Sequence, residues 1–427
     1  MKKYLKNLPQ EIKYLINAAQ KVSGETKMPA YLVGGFVRDL ILGVKNFDLD
    51  ITVEGSGILF ADKLANQLKA KLNIHERFGT ATLILKNGTK IDVATTRKER
   101  YPTCAALPIV TFGLLNEDLL RRDFTINAMA LRIARGKKQQ LTDPFGGNED
   151  LNKKCIRVLH DLSFEDDPTR ILRAIRFEQR YNFKIEPKTL KLLKEAVALG
   201  LLFKPNAHRL RDDLILMLKE NNPAKQIKRL ASLAGLSFIS RKLSCGKATY
   251  SLFKAIGNEV AWFEKNFPTR RKLDIWLIYF IALLKPLGKA EIKRIIQKLG
   301  LRKGEEKRAL DYCQMSKKLI RRLSQKGLTA AQIFSLLEPL SYEAIILLNA
   351  TSKNKDLKQY ISDFIEIYNG MQVCVSGKDL HGLGIMPGPV YQKIFAKVLT
   401  AKLNGGVSTY QDELVLIKGL IRQKGND

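Results

Sequence analysis

The sequence predicts an α+β head followed by an all-α remainder, and three observations carry that prediction. Short runs alternating apolar with polar residues, the mark of half-buried strands, gather in the first third of the chain. From Asp150 onward apolar residues recur at three- and four-residue spacing, the period of a helix with one buried stripe. The charge divides at the same place. Residues 1–150 hold 23 Lys and Arg against 16 Asp and Glu, or +7; the other 277 hold 50 against 26, or +24.

In order, residues 9–22 read as a helix, with Pro9 suited to the first turn and Ile12, Leu15, Ile16 and Ala19 on one face. Strand-like runs follow at Tyr31–Val33, Phe47–Val53, Ala81–Leu85, Lys90–Thr95 and Ala128–Ile133, with a helix over Asp62–Leu72. The segment Thr95–Pro108 reads as a loop able to move. Helical spacing then occupies 168–182, 188–199, 207–219, 223–235, 247–263, 272–285, 289–299 and 305–323, interrupted at Asn221-Asn-Pro223 and Gly300. Ile275–Leu284 is the most apolar stretch, but it falls well short of the roughly 20 residues a bilayer demands and reads as a buried helix.

A chain of 427 residues can bury more than one core, so two to four modules are expected. Its net charge of +31 points to a polyanion such as nucleic acid. A membrane surface is the weaker alternative, because no polybasic cluster adjoins an amphipathic anchor. Cys104, Cys155, Cys245, Cys313 and Cys374 are odd in number, scattered and without zinc spacing, which fits reduced thiols in a cytoplasmic protein. Nothing in the sequence sets the oligomeric state.

The chemistry concentrates in Leu32-Val-Gly-Gly-Phe-Val-Arg-Asp39 and in Phe47-Asp-Leu-Asp-Ile-Thr-Val-Glu54. Gly34 and Gly35 lack side chains, so their amides can approach phosphate oxygens closely. Residues 47, 49, 51 and 53 are apolar, which sends Asp48 and Asp50 together to the opposite face of the strand. Two adjacent carboxylates repel unless cations bridge them, and Mg²⁺ bound there can clamp a phosphoryl transfer. Arg38 would neutralise phosphate; an ion pair with Asp39 is the open alternative. Asp92 alternates with apolar neighbours as Asp48 and Asp50 do.

These segments, followed by Arg121-Arg-Asp-Phe-Thr-Ile-Asn-Ala128, Asp143-Pro-Phe-Gly-Gly147 and Asp166-Asp-Pro-Thr-Arg-Ile-Leu-Arg-Ala-Ile-Arg-Phe177, resemble the class II tRNA nucleotidyltransferases. That family comprises CCA-adding, CC-adding and A-adding enzymes and bacterial poly(A) polymerases. The strong matches lie within 32–177; weaker ones continue through Asn206–Leu214 to Gly377–Pro389. The resemblance implies a nucleotidyltransferase head of the DNA polymerase β type over 1–149, a base-templating neck over 150–235, a helical RNA-binding body over 236–330 and a tail at the tRNA elbow over 331–427. It makes Asp48 and Asp50 ligands of two Mg²⁺ ions, with Asp92 as third ligand or base; a solvated strand position is the open alternative for Asp92. Arg122 and Arg173 become triphosphate contacts, with Asp123 and Asn127 near the ribose. For Asp123 and Asn127, organising a turn remains open.

The resemblance also makes Asp167 and Arg170 the pair that reads the base edge. C and A both carry an exocyclic amino donor beside a ring-nitrogen acceptor, which a carboxylate and a guanidinium can meet; U and G present a carbonyl instead. Pro168 suits a first helical turn, so Asp167 is expected at the N-cap, and capping alone is its alternative role. The implied activity is addition of CCA to the tRNA 3′ end from CTP and ATP, with the acceptor stem and T arm as the bound partner. A-adding or CC-adding relatives stand next. A poly(A) polymerase is disfavoured because its arginine-rich segment after the carboxylates is replaced by Glu76-Arg-Phe-Gly79. A non-catalytic RNA-binding module is opposed by the intact carboxylates and arginines.

Overall fold

The computed structural model describes residues 8–45, 48–134, 140–315 and 317–424, with the side chains of 313, 314, 317, 423 and 424 excepted. The chain divides into two compact units, Met1–Glu220 with Lys225–Phe238, and Asn221–Ala224 with Ile239–Asp427.

The first unit opens with helix α1 (Gln10–Thr26), which buries Ile12, Leu15, Ile16, Ala19 and Val22 on one face and stops at Lys27 in a left-handed conformation. Strand β1 (Ala30–Val33) leads into α2 (Gly35–Leu42), and β2 (Leu49–Val53) into α3 (Gly57–Leu68). Next come β3 (Lys71–His75), β4 (Thr80–Ile84) and β5 (Lys90–Thr95), then β6 (Arg97–Arg100) and β7 (Ile109–Phe112). After α4 (Leu115–Leu120) and a 3₁₀ turn at Thr125–Asn127, β8 (Ala130–Arg132) and β9 (Leu141–Thr142) complete a seven-stranded sheet in the order β3-β4-β5-β2-β1-β8-β9. The sheet is mixed: β2 and β5 are parallel, and its other pairs are antiparallel. Leu49, Ile51, Ile91 and Val93 bury their side chains under α3, where Phe60 and Leu64 are fully enclosed.

Beyond the sheet lie α5 (Gly147–Asn152), α6 (Ser163–Asp166), α7 (Arg170–Tyr181), α8 (Pro187–Ala198), α9 (Ala207–Leu218) and α10 (Pro223–Leu233). One parallel pair of two-residue strands, β10 (Cys155–Ile156) and β11 (Lys184–Ile185), interrupts this region that the spacing reads as helical.

Several expectations need correction. The helix expected over Asp62–Leu72 begins earlier, where Ser56 Oγ caps the Leu59 amide, and ends at Lys69, which adopts φ +51°. Lys71–His75 is instead an edge strand whose pairing with β4 defines it, since its side chains are mostly exposed and leave no alternating burial to read. The segment 95–108 is no simple loop, because Arg97–Arg100 pairs with Ile109–Phe112 as a hairpin. Phe47 lies outside the described residues.

In the second unit the described elements are helical. They begin with α11 (Lys247–Asn266), α12 (Ile275–Leu284), α13 (Lys289–Leu299) and α14 (Lys303–Gln314), and continue with α15 (Lys317–Leu323), α16 (Ala330–Leu337), α17 (Tyr342–Thr351) and α18 (Lys355–Asp363). After a π-helical turn at Phe364–Tyr368 come α19 (Gly377–Gly382), α20 (Pro389–Leu403) and α21 (Tyr410–Lys424). The span expected as one helix over 305–323 is therefore two. Helix α12 is buried from Trp276 to Leu284, as a helix apolar on all sides must be. Beside it the fully buried Glu343 accepts a forked pair of bonds from Arg271, one from Arg308 and one from the Asp274 amide. Among the described residues, no single helix is long and apolar enough to cross a membrane.

Candidate active site

The chain leaves β1 through Gly34, which adopts φ +65° and ψ −131°, a conformation that only glycine enters without strain. A Cβ at Gly34 would stand 2.8 Å from Arg122 Nη1 and 3.8 Å from Asp50 Oδ2. The missing side chain thus lets the guanidinium, the turn and the carboxylate converge.

Strand register then assembles the carboxylates. Asp50 lies directly opposite Asp92 in the parallel β2–β5 pair, while Asp48 is two residues before Asp50. Asp92 accepts a bond from Thr82 Oγ1 at 2.6 Å. Burial, and then the neighbouring Asp92 and Asp48 carboxylates, push the Asp50 carboxyl up to about 6 against the opposing pull of Arg122. Burial, more than the neighbouring carboxylates, disfavours the charged form of Asp50. All of these donors are hard oxygens, which suits a divalent ion such as Mg²⁺. Among the described residues, no three His, Cys, Asp or Glu side chains are grouped closely enough to form a complete metal cage. That is compatible with Mg²⁺, which is usually bound by one or two carboxylates with substrate phosphates and water.

The arginines are held by a second set of acids. Asp118, fully buried, accepts from Arg121 Nη2 at 2.8 Å and Arg122 Nη2 at 2.9 Å. Among the described residues, Arg122 Nε is buried with no hydrogen-bond partner. Arg38 forms the pair with Asp39 that the sequence leaves open, with bonds of 2.8 and 3.0 Å, and donates to Asn127 Oδ1 at 2.6 Å. Asp123 accepts from Asn127 Nδ2 at 2.8 Å and from Arg173 Nε and Nη2 at 2.9 and 2.6 Å. Burial would raise Asp123, but the Arg173 guanidinium and the Asn127 amide bring its carboxyl down to about 2. Asp123 and Asn127 therefore do organise their turn, while both face the same cleft.

At the start of α7, Asp167 Oδ1 accepts from the Thr169 amide at 3.0 Å and the Thr169 hydroxyl at 2.7 Å, and pairs with Arg209 at 2.8 Å. The N-cap position itself belongs to Thr169, which corrects the expected placement. Asp167 closes the turn before the helix, because its carboxylate reaches forward two residues rather than three. Arg170, almost fully buried, is fixed by Ser163 Oγ at 2.6 Å and the Arg121 carbonyl at 2.8 Å.

A cleft of about 620 Å³ gathers Gly34, Gly35, Arg38, Asp50, Arg122, Asp123, Asn127, Asp167, Arg170 and Arg173. Asp48 and Asp92 do not line it; both are exposed on the carboxylate face. The sequence reading assigned no role to Glu99, Tyr101, Phe177, Arg209 and Asp213, which also line the cleft. Arg209 and Asp213 carried a signal, since they stand four apart on one helix face within Asn206–Leu214. Glu99 and Tyr101 carried none, because their placement depends on the hairpin register.

Residues 30–157 match the poly A polymerase head domain. The chain is 37% identical over 414 residues to an A-adding tRNA nucleotidyltransferase of Geobacter sulfurreducens, covering 96% of this chain and 47% of that protein. It therefore spans about half the length of that relative. It is 29% identical to an A-adding tRNA nucleotidyltransferase of Halalkalibacterium halodurans, covering 96% of this chain and 93% of the relative. Among solved structures, the Thermotoga maritima CCA-adding enzyme complexed with tRNA_CCA superposes with a TM-score of 0.70 at 34% identity, over 98% of each chain.

Proposed function

We infer the activity from one premise: the chain belongs to the class II tRNA nucleotidyltransferase and poly(A) polymerase family. The reading is template-independent addition of CCA to the 3′ end of tRNA from CTP and ATP, with release of pyrophosphate. One observation carries it. The turn suited to phosphate, Asp50 of the acidic strand edge and the Asp167–Arg170 pair suited to a base edge all line the same cleft.

In this reading the amides of Gly34–Gly35 and the guanidinium groups of Arg122 and Arg173 hold the triphosphate, with Arg38 bracing the wall behind them. Asp123 and Asn127 meet the ribose hydroxyls. Asp167 accepts the amino hydrogen of C or A while Arg170 serves the ring nitrogen, so U and G leave a carboxylate facing a carbonyl, which is strongly disfavoured. Asp48 and Asp50, with Asp92 beside them, would hold Mg²⁺. When bound, Mg²⁺ stabilises the charge on the attacking 3′-oxygen and on the departing pyrophosphate. The bond formed joins the RNA 3′-oxygen to the α-phosphorus, and the bond broken is that from the α-phosphorus to the pyrophosphate oxygen.

A second reading, addition of the terminal A alone, is favoured by the names of the Geobacter and Halalkalibacterium relatives. Both readings use every residue above. The experiment that separates them supplies three tRNA transcripts, lacking CCA, ending in C and ending in CC, with each nucleotide singly and with CTP and ATP together. Growth of CCA on the shortest transcript supports the first reading, A on the CC-ended transcript alone the second. A long run of A, or no transfer with any nucleotide, overturns both.

A further inference from the structure

The base-reading pair needs a surface against which a flat base can lie, and the cleft offers two rings, Tyr101 and Phe177. Phe177 is already covered. Tyr181 stacks on it at 5.9 Å, Phe124 meets it edge-on, and the Arg38, Arg173 and Arg176 guanidinium groups stand 4.8–5.6 Å from its centre. Tyr101 is different. Among the described residues, no aromatic ring pairs with it and no cation lies over its face, and it is only partly buried.

One hydrogen-bond chain leads from Tyr101 to Arg170, and a second ties Ala105, four residues further along the same segment, to Asp167. The Tyr101 hydroxyl donates to Glu99 Oε2 at 3.0 Å, and Glu99 Oε1 accepts from Arg121 Nη1 at 3.2 Å. The Arg121 carbonyl in turn accepts from Arg170 Nη2 at 2.8 Å. On the other side, the Ala105 amide donates to the Glu165 carbonyl at 3.0 Å, and the Ala105 carbonyl accepts from Arg209 Nη1 at 3.4 Å. That same Arg209 holds Asp167. Burial and Glu99 push the Tyr101 phenol up to about 12, and the phenol senses the charges of both Arg170 and Asp167. It therefore remains a neutral donor to Glu99 across the physiological range.

We propose that Tyr101 is the platform of the base subsite: its ring supports the base of the bound CTP or ATP while Asp167 and Arg170 read the edge, and Glu99 sets the plane of the ring. The proposal rests on the nucleotidyl-transfer reading and deepens it. A stacking platform is blind to base identity, since every base has a π-face, so it supplies affinity while the carboxylate and guanidinium supply choice.

The test measures equilibrium binding of CTP, ATP and inorganic tripolyphosphate to the wild type, Tyr101→Leu and Tyr101→Phe. The expected result is that Tyr101→Leu weakens both nucleotides by about tenfold or more, the scale of one lost base–aromatic stack. Tyr101→Phe, which keeps the ring but loses the hydroxyl bond to Glu99, should fall between the wild type and Tyr101→Leu, and tripolyphosphate should bind all three proteins alike. Unchanged tripolyphosphate binding also shows that the leucine variant retains a folded cleft. Wild-type binding of CTP and ATP with an equal affinity in Tyr101→Leu overturns the platform and leaves the activity standing. Equal weakening of tripolyphosphate and nucleotide also overturns it, because the ring would then be supporting the site as a whole. Failure of the wild type to bind either nucleotide overturns both.

Discussion

Replacing Asp50 with Asn should stabilise the first unit while abolishing transfer. The Asp50 carboxyl is raised from 3.8 to about 6 in the folded chain by burial and by Asp92 and Asp48. The folded state therefore binds this proton more tightly than the unfolded state does. Its stability is greatest below about pH 4, falls as pH rises through about 6, and stays lowered above that. At 1.36 kcal/mol per unit, a shift of this size costs the fold on the order of 3 kcal/mol at pH 8. Asn resembles the protonated acid in shape and charge, so Asp50→Asn should recover much of that cost. For a unit of this size the gain is roughly 5–10 °C in melting temperature.

The assay is thermal melting of both proteins in chelator from pH 4 to pH 8, repeated with Mg²⁺ and CTP. In chelator the curves should diverge as pH rises and meet near pH 4. With Mg²⁺ and CTP the wild type should gain stability by linkage while the variant gains little, narrowing the gap. A variant no more stable than wild type at pH 8, or a gap independent of pH, would refute the reasoning that burial and the neighbouring carboxylates make the charged Asp50 costly to the fold.

Three further outcomes follow from other contacts. Gly34→Ala should lower transfer by at least tenfold in kcat/KM, because the new Cβ would sit 2.8 Å from Arg122 Nη1 on a backbone that L-residues avoid; steady-state kinetics with Tm as control checks it. Asp123→Asn should cost about 1–3 kcal/mol in denaturant titration near pH 7, since it removes the charged acceptor of a partly buried pair with Arg173. Its effect should shrink as pH falls from about 4 toward 2, where the wild-type carboxyl, held at about 2, loses its own charge. Glu343→Gln should cost about 1–3 kcal/mol in the second unit by removing the charged acceptor that Arg271 and Arg308 share, yet leave CTP binding to the cleft unchanged by equilibrium dialysis.

What could be read in the sequence follows from how locally each feature is specified. Asp48 and Asp50 were legible because alternation along a single strand needs only its own neighbours, and the burial of Leu49, Ile51 and Val53 obeys it. Lys71–His75 was not, because an edge strand with exposed side chains is defined by pairing with residues the local pattern does not contain. The same distinction runs through the cleft. Gly34, Asp167 and Arg170 announce themselves in compact motifs, whereas the bonds that aim them come from far along the chain. Asp167 is held by Arg209, and Arg170 by the Arg121 carbonyl. Each of these bonds joins residues about 40 or more positions apart, a separation at which loop closure depends only weakly on chain length and hardly at all on local composition. The residues of the proposed site are thus written in short motifs, while their orientation depends on the hairpin and on the helix bearing Arg209. In the proposed reading, a substitution at Arg209 or Glu99 would reach the bound base through Asp167 or Tyr101 without touching any residue of those motifs.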